Sequence, residues 1–278
     1  MLIIILTDKG PGSRMALLRS GLEIMGVSGK KAELTEEDLG RTADGKPFFI
    51  KRRDIHFSLS HSGDYIACAF SDRKTGLDFQ ENRAPRTSVL KISKRFFAPV
   101  EYEKLLSVRD PAEQLSLFYR FWTIKEAYLK YIGCGLRGRL DSFLPDPLPM
   151  KELLPDRETL SRSFSKRGVP LTVRPVFPII TDSSAPILGD RTMTIKKEPV
   201  SSGTGPGFAA SYLSPGSGET ADRPPERTCF GGRIRPLAGG GELVPAQYAL
   251  LPAISGYTMT VCSDALHEKI EIYCGLPG

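Results

Sequence analysis

Cysteine, histidine and long apolar runs are all scarce in this sequence. Its 278 residues include five cysteines, an odd number with no C-x-x-C pair, and only three histidines. This usage argues against a zinc site and a disulfide framework, and it indicates a reducing compartment. The apolar run Leu2–Leu6 is too short for a signal peptide or a membrane span. We therefore expect a cytoplasmic protein that has no contact with a membrane.

No tract of basic residues stands out either, although the formal net charge is +6. Lysine and arginine are spread along the chain, so most of them are expected on a solvated surface, and nucleic acid is not expected as a partner. A mildly basic balance suits an anionic ligand or an acidic partner protein. The length allows one large domain or two small ones, each with a proper core.

The first half of the chain alternates between strand and helix patterns. Leu2–Thr7 predicts a buried strand, and Met15–Met25 has the apolar spacing of a helix. Ile55–Ser60 and Tyr65–Phe70 predict two strands joined by a tight turn at residues 62–64.

Two helices and a set of late strands are predicted further along. Thr87–Leu106 and Ala112–Ile132 have helical patterns, and in the second Pro111 fits the first turn. Gly133 and Gly135 end that second helix. Three strand-like runs follow near the C-terminus, at Tyr248–Leu251, Tyr257–Cys262 and Lys269–Tyr273.

Proline and glycine dominate the middle of the chain. Residues 201–241 hold 10 glycines and 5 prolines in 41 positions. Such a stretch buries too little apolar surface to offset its chain entropy. We expect residues 145–242 to form a largely irregular insertion with short strands at Leu171–Phe177 and Thr192–Ile195. The insertion could also act as a separate protein-interaction segment.

The helix pattern at Ala112–Ile132 carries a polar stripe. Trp122, Glu126 and Lys130 are spaced at i, i+4 and i+8, so they lie on one face. Taken alone, Glu126 and Lys130 are an ordinary surface pair that stabilises a helix by roughly 0.3–0.5 kcal/mol. Trp122 alone is more often a core residue than a ligand contact.

A second polar pair occurs at Gly76–Gln80, which reads as the end of a strand. Alternation puts Asp78 and Gln80 on one face. A carboxylate and an amide oxygen, joined by Glu126 from the helix, can bind a hard cation such as Mg²⁺ and leave positions for phosphate and water. The plainer alternative is that Asp78 only caps a turn.

Two further segments suit phosphate. Ser58–Gly63 combines hydroxyls, the imidazole of His61 and a turn rich in backbone N–H groups. Gly45-Lys46-Pro47 places a cation on a rigid bend, although that tripeptide alone is usually only an exposed turn.

In this order and spacing, the segments resemble the surfactin-type 4'-phosphopantetheinyl transferases. The family pattern is G-K-P, S-H-S, G-[IV]-D-x-E and then W-x-x-K-E-x-x-x-K. Asp78 and Trp122 are 44 positions apart, as in the family, and the resemblance covers about residues 1–144 and 243–275. The matching residues are Gly45-Lys46-Pro47, Ser60-His61-Ser62, Gly76-Leu77-Asp78, Trp122, Lys125, Glu126 and Lys130.

The resemblance implies an α+β fold of two similar halves related by a pseudo-twofold axis, with coenzyme A between them. The expected halves are residues 1–75 and 76–278. A weak internal similarity between Asp64–Asp72 and Gly256–Asp264 fits two related halves, and chance between two amphipathic strands explains it nearly as well. The chain is expected to act as a monomer.

The resemblance also implies a reaction. The serine hydroxyl of an apo carrier protein attacks the β-phosphate of coenzyme A, phosphopantetheine moves to the serine, and 3',5'-ADP leaves. Asp78 and Glu126 would bind Mg²⁺, with Gln80 as a third candidate ligand. Glu126 would take the serine proton, directly or through a water molecule. Lys130 would stabilise the leaving group. The coenzyme A phosphates would be held by Lys130, Ser60, His61, Lys46 with Pro47, and Arg14.

Two departures from the family pattern bear on activity. Gln80 stands where many members have a second metal-binding glutamate, and the family's basic segment before Arg14 has no counterpart. These departures motivate an alternative function, a non-catalytic homologue that binds coenzyme A or a carrier protein. Retention of Asp78, Glu126 and Lys130 favours the enzyme, because a binding module has no need of the carboxylates.

Overall fold

One mixed sheet of ten strands dominates the part of the chain that this computed structural model describes, which is residues 1–27, 34–135, 138–149, 170–177, 227–237 and 244–276. The strand order is β4-β5-β1-β12-β8-β9-β10-β11-β6, and β7 pairs with β9. The bounds are β1 Leu2–Asp8, β4 His56–Ser62, β5 Tyr65–Ser71, β6 Thr75–Glu81, β7 Phe143–Asp146, β8 Leu171–Val176, β9 Arg227–Pro236, β10 Gln247–Leu251, β11 Tyr257–Ser263 and β12 Ile270–Cys274. The expected α+β class is confirmed.

Four α-helices and a small hairpin complete the described fold. The hairpin pairs β2, Leu39–Arg41, with β3, Pro47–Phe49. The helices are α1 Ser13–Ile24, α2 Val89–Phe96, α3 Pro99–Ser107 and α4 Pro111–Ile132. No helix among these residues is long and apolar enough to cross a membrane.

Strand β1 is apolar at every position from Leu2 to Leu6 because both of its faces are covered. Leu2, Ile4 and Leu6 pack into a core inside the sheet, whereas Ile3 and Ile5 pack under α1. A strand that is buried on both faces carries a continuous apolar run rather than an alternating one. The predicted buried strand is therefore confirmed.

The sheet curls until its two end strands, β4 and β6, meet. Serine hydroxyls of β4 accept hydrogen bonds from backbone N–H groups of β6, where a regular ladder would use carbonyl oxygens. The pairs are Ser58 with Leu77 at 2.9 Å, Ser60 with Phe79 at 3.1 Å and Ser62 with Glu81 at 2.9 Å. This serine ladder satisfies the edge of β6 and encloses the inner core.

Helix α4 lies directly on β6 because Gly76 has no side chain. A Cβ atom at Gly76 would lie 2.1 Å from the carbonyl oxygen of Ala127 and 2.3 Å from the backbone nitrogen of Tyr131. Helix α4 also contacts the neighbouring strand β11, where the hydroxyls of Thr123 and Thr260 are 2.8 Å apart. Asp110 caps the N-terminus of α4, where its side chain accepts from the Glu113 N–H at 2.8 Å, and Gly133 caps the C-terminus with φ 85°. Both ends agree with the sequence prediction.

The single helix predicted for Thr87–Leu106 is wrong. The chain forms α2 and α3 instead, with Phe97 and Ala98 in extended conformations between them. Pro99 causes the break, since it has no N–H to donate within a helix and it pushes the residue before it out of the helical region. Proline then occupies the first turn of α3.

The prediction for the middle of the chain is wrong in part. Strand β9 lies within the stretch that was expected to be irregular, and it pairs with both β8 and β10. Its glycines permit close packing, because a Cβ at Gly232 would lie 2.6 Å from the Tyr248 ring. The strand predicted at Leu171–Phe177 is present as β8, whereas Thr192–Ile195 lies outside the described residues.

Candidate active site

The predicted polar stripe is the partly exposed face of α4. Trp122, Glu126 and Lys130 are half-buried, while every other residue from Phe121 to Leu129 is buried. Because the rest of this segment packs against the sheet and the smaller helices, the stripe is the part of it that a ligand can reach.

Asp78 is the centre of the site. It is only 1% exposed, and it faces α4 from β6. One carboxylate oxygen, Oδ1, accepts from Lys130 Nζ at 2.7 Å and from Ser60 Oγ at 2.9 Å. A buried carboxylate needs such partners, since an unpaired charge in the interior is strongly unfavourable.

Gln80 lies beside Asp78 on the same face of β6, as alternation predicted. Its Nε2 atom donates to Asp78 Oδ2 at 3.3 Å. The amide oxygen is the atom that could bind a cation. For Gln80 to serve as a metal ligand, its amide group would have to turn.

Glu126 shares the site with Asp78. Burial raises the pKa of Glu126, repulsion from Asp78 raises it further, and the Lys130 ammonium opposes both effects. Two carboxylates that repel each other favour the uptake of a proton or a cation. The raised pKa makes the carboxyl group of Glu126 a better proton acceptor than an ordinary glutamate, and its negative charge beside Asp78 also suits a bound metal.

The described residues contain no cluster of three or more histidine, cysteine, aspartate or glutamate side chains that could hold a metal. Asp78 and Glu126 nevertheless fit Mg²⁺. This ion is commonly held by one or two carboxylates and takes its remaining oxygens from phosphate and water. The mutual repulsion of the two carboxylates is what a divalent cation would relieve.

Ser60 lies on strand β4, as the strand pattern predicts, whereas His61 also lies on that strand and not in the turn where we expected it. His61 pairs with Ile66 of β5 and is exposed. The Ser60 hydroxyl donates to Asp78 and accepts from Lys130 Nζ at 2.9 Å and from Phe79 N–H. Its single hydrogen is therefore already in use.

The Lys46 side chain of the Gly45-Lys46-Pro47 bend points toward the end of α4 and the start of β6 rather than toward solvent. Lys46 Nζ donates to the carbonyl oxygens of Lys130 at 2.6 Å, Thr75 at 2.9 Å and Tyr131 at 3.2 Å. Burial and the neighbouring Lys74 ammonium lower the pKa of Lys46 to about 8. The half-buried Pro47 begins β3.

Arg14 lies on α1, and its Nη1 is 2.9 Å from both carboxylate oxygens of Glu36. About a third of the Arg14 side chain remains exposed. An anion could therefore reach it in competition with Glu36.

The sequence interpretation missed a buried ion pair next to the site. Lys125 Nζ lies 2.9 Å from Glu101 Oε2, both side chains are fully buried, and the ammonium also donates to the carbonyls of Leu140 and Phe143. Burial lowers the pKa of Lys125 and raises that of Glu101. One feature of the sequence could have indicated this pair. Lys125 directly follows the core residue Ile124, and helix spacing places it on the side of α4 away from Lys130, where a lysine is expected to be buried and to need a partner.

Comparison with known families matches residues 74–165 to the 4'-phosphopantetheinyl transferase superfamily. This segment contains β6, the three helices α2, α3 and α4, and β7. Asp78, Glu126 and Lys130 all lie within it.

Curated relatives agree with this match. The chain is 41% identical over 99 residues to a 4'-phosphopantetheinyl transferase of Bacillus subtilis, covering 36% of this chain and 42% of the relative. It is 36% identical over 122 residues to 4'-phosphopantetheinyl transferase Sfp of Bacillus subtilis strain 168, covering 43% and 53%. A human L-aminoadipate-semialdehyde dehydrogenase-phosphopantetheinyl transferase is 36% identical over 122 residues, covering 40% of each chain.

The chain thus spans about half the length of the curated relatives it matches. The matched region includes the W-x-x-K-E helix. These findings confirm the resemblance to the surfactin-type 4'-phosphopantetheinyl transferases that the motifs indicate.

Proposed function

We propose that this protein is a Mg²⁺-dependent 4'-phosphopantetheinyl transferase that moves phosphopantetheine from coenzyme A to a serine of an apo carrier protein. The observation that carries the proposal is the meeting of Asp78, Glu126 and Lys130, from one strand and one helix, inside the segment that matches the transferase family.

The proposed chemistry assigns one role to each of these residues. Asp78 and Glu126 would hold Mg²⁺, with Gln80 as a further ligand if its amide turns, and the bound ion would neutralise the phosphate charge. Glu126, whose pKa is raised, accepts the proton of the carrier serine. The serine oxygen forms a bond to the β-phosphorus of coenzyme A as the bond to 3',5'-ADP breaks. Lys130 stabilises the charge on the departing ADP.

We assign coenzyme A contacts to the residues that the family pattern indicates. His61 is exposed and Arg14 is partly exposed, so both have surface available for a phosphate. Lys46 and Ser60 already bond to protein groups in this structure. They and Pro47 would therefore contribute chiefly through their backbone and through the groups they hold.

A non-catalytic homologue that binds coenzyme A or a carrier is the competing proposal, and Gln80 is the residue that motivates it. It is not favoured. The chain keeps two carboxylates, buried Asp78 and half-buried Glu126, that repel each other, which is unfavourable without a proton or a cation. A pure binding module gains nothing from that repulsion.

We also propose that residues 1–75 and 76–278 are two related halves. Matching strand registers support this. Residues Leu2–Asp8 pair antiparallel with Ser71–Tyr65, and residues Thr75–Glu81 pair in the same way with Ser263–Tyr257. The two later strands are those whose sequences resemble each other.

The partner is proposed to be an acidic apo carrier protein, which the net charge of +6 suits. We propose that the protein acts as a monomer in the cytoplasm. The five free thiols fit that compartment.

The test is incubation with coenzyme A, Mg²⁺ and a panel of acyl, peptidyl and polyketide apo carriers, followed by intact-protein mass spectrometry. At least one carrier should gain a phosphopantetheine group on its serine. Failure with every carrier, where an established transferase succeeds on the same panel, would contradict the proposal.

A further inference from the structure

Two lysines from outside α4, Lys46 and Lys74, donate hydrogen bonds to the carbonyls at its C-terminal end. The last carbonyls of a helix have no partner within it and must find one elsewhere. Gly133 N–H donates to Leu129 O, and Lys74 Nζ lies 3.3 Å from Ile132 O. The two carbonyls between them belong to Lys130 and Tyr131, and Lys46 Nζ serves both.

All three N–H donors of the Lys46 ammonium group are used by backbone carbonyls, two of them at the end of α4. An ammonium group has three donors, and the structure gives Lys46 three carbonyl acceptors. A cation at the C-terminal end of a helix is also favoured by the helix dipole. Burial and the Lys74 ammonium lower the pKa of Lys46 to about 8.

The same ammonium joins the two elements that build the site. Its third acceptor is the carbonyl of Thr75, the first residue of β6, three positions before Asp78. Its shortest bond, at 2.6 Å, is to the carbonyl of Lys130, whose side chain bonds to Asp78. Lys46 therefore binds the backbone of Lys130 and the backbone of β6 three residues before Asp78.

We propose that Lys46 is a positioning residue of the transfer site: it fixes the last turn of α4 against the start of β6, so that Lys130 and Glu126 meet Asp78 at the distance the reaction needs. The proposal rests on the proposed function for its kinetic consequences. It differs from a role as a phosphate ligand, because its effect reaches the reaction through Lys130 rather than through contact with coenzyme A.

The decisive variants are Lys46→Met, which keeps the aliphatic stem and removes the charge, and Lys46→Arg, which keeps a charged donor. Lys51→Met is the matched control, since that exposed lysine pairs only with Asp38 among the described contacts. In Lys46→Met we expect kcat to fall by about tenfold or more while KM for coenzyme A stays within about twofold. Lys46→Arg should restore part of kcat, and Lys51→Met should match the parent protein.

A second substrate separates positioning from binding of the 3'-phosphate. The Lys46→Met defect should be the same with 3'-dephospho-coenzyme A as with coenzyme A. A rise in KM that disappears with the dephosphorylated substrate, at unchanged kcat, would overturn the proposal.

A measurement on the protein alone keeps the inference independent of activity. Amide hydrogen exchange of Tyr131, Ile132 and Gly133 should accelerate in Lys46→Met but not in Lys51→Met. Unchanged exchange there would overturn the proposal even if transfer were lost. If the parent protein modifies no carrier while exchange responds as expected, the proposed function fails and the cap stands. Should Lys46→Met not fold, the same measurements on Lys46→Gln and Lys46→Arg decide.

Discussion

At the scale of single residues, the site is organised around the buried carboxylate of Asp78. Its direct partners are Lys130 on α4, Ser60 on β4 and Gln80 on its own strand. Strand alternation predicts that Asp78 and Gln80 share a face, and helix spacing predicts the stripe that ends at Lys130. Neither pattern predicts that Ser60 and Lys46 turn toward protein groups, because those contacts join segments that are distant in sequence.

Replacement of Glu126 by glutamine is expected to abolish transfer and to raise the melting temperature of the metal-free protein at neutral pH. The pKa of Glu126 is raised in the folded state, so its ionisation opposes folding as pH rises above the ordinary value for glutamate. Below that value both states are protonated and the two proteins should melt alike. A variant that melts lower than the parent at pH 7, in chelator, would contradict the shifted pKa.

Gln80→Glu is expected to lower the Mg²⁺ concentration needed for half-maximal transfer. A carboxylate is a stronger ligand for this hard cation than an amide, and it would add a third negative charge beside Asp78 and Glu126. Magnesium titrations of parent and variant provide the measurement. Superimposable titrations would show that position 80 does not face the metal.

At the scale of elements, the contact between α4 and β6 decides whether the residues meet. Gly76→Ala should destabilise the protein by about 1–3 kcal/mol, since the new methyl group meets backbone atoms that cannot move aside easily. Gly10→Ala is the control, because nothing lies within 4 Å of a Cβ there. Denaturant unfolding measures both, and equal stability of the two variants would refute the close approach.

The Lys125–Glu101 pair ties α4 to α3 in the same way. Lys125→Met should cost roughly 3–5 kcal/mol of folding stability, because it leaves Glu101 buried without its cation. Adding Glu101→Leu should recover much of that loss. If the single variant were as stable as the parent protein, the pair would not be holding the helices together.

Helices and strands could be predicted from the sequence where the local signals, such as capping residues, agreed. The predictions failed where a proline was decisive or where tertiary packing outweighed local propensity. Pro111 and Gly133 mark both ends of α4, and the structure follows them. Pro99 is the residue in the sequence that divides α2 from α3. In β9, glycine content indicated disorder, whereas the structure uses Gly231 and Gly232 to bring the strand against Phe177 and Tyr248. Tertiary packing there outweighs local propensity.

At the scale of the whole molecule, long-range pairing builds a sheet that surrounds its own core. The serine ladder between β4 and β6 joins the two ends of the sheet, and Ser60 of that ladder also contacts Asp78 and Lys130. Spacing of serines at alternate positions along β4 is visible in the sequence, but their pairing with β6 is not. The same residue, Ser60, thus takes part both in the closure of the sheet and in the site.

The central claim, that Asp78, Glu126 and Lys130 form a phosphopantetheine-transfer site, is tested most directly by counting products. An apo carrier, coenzyme A and Mg²⁺ are incubated with the parent protein, with Glu126→Gln, and with Glu113→Gln as a control at an exposed position of the same helix. Mass spectrometry of the carrier and chromatography of 3',5'-ADP should give equal amounts of both products for the parent and Glu113→Gln, and none for Glu126→Gln. Equal turnover by Glu126→Gln, or no product from the parent on any carrier, would contradict the account.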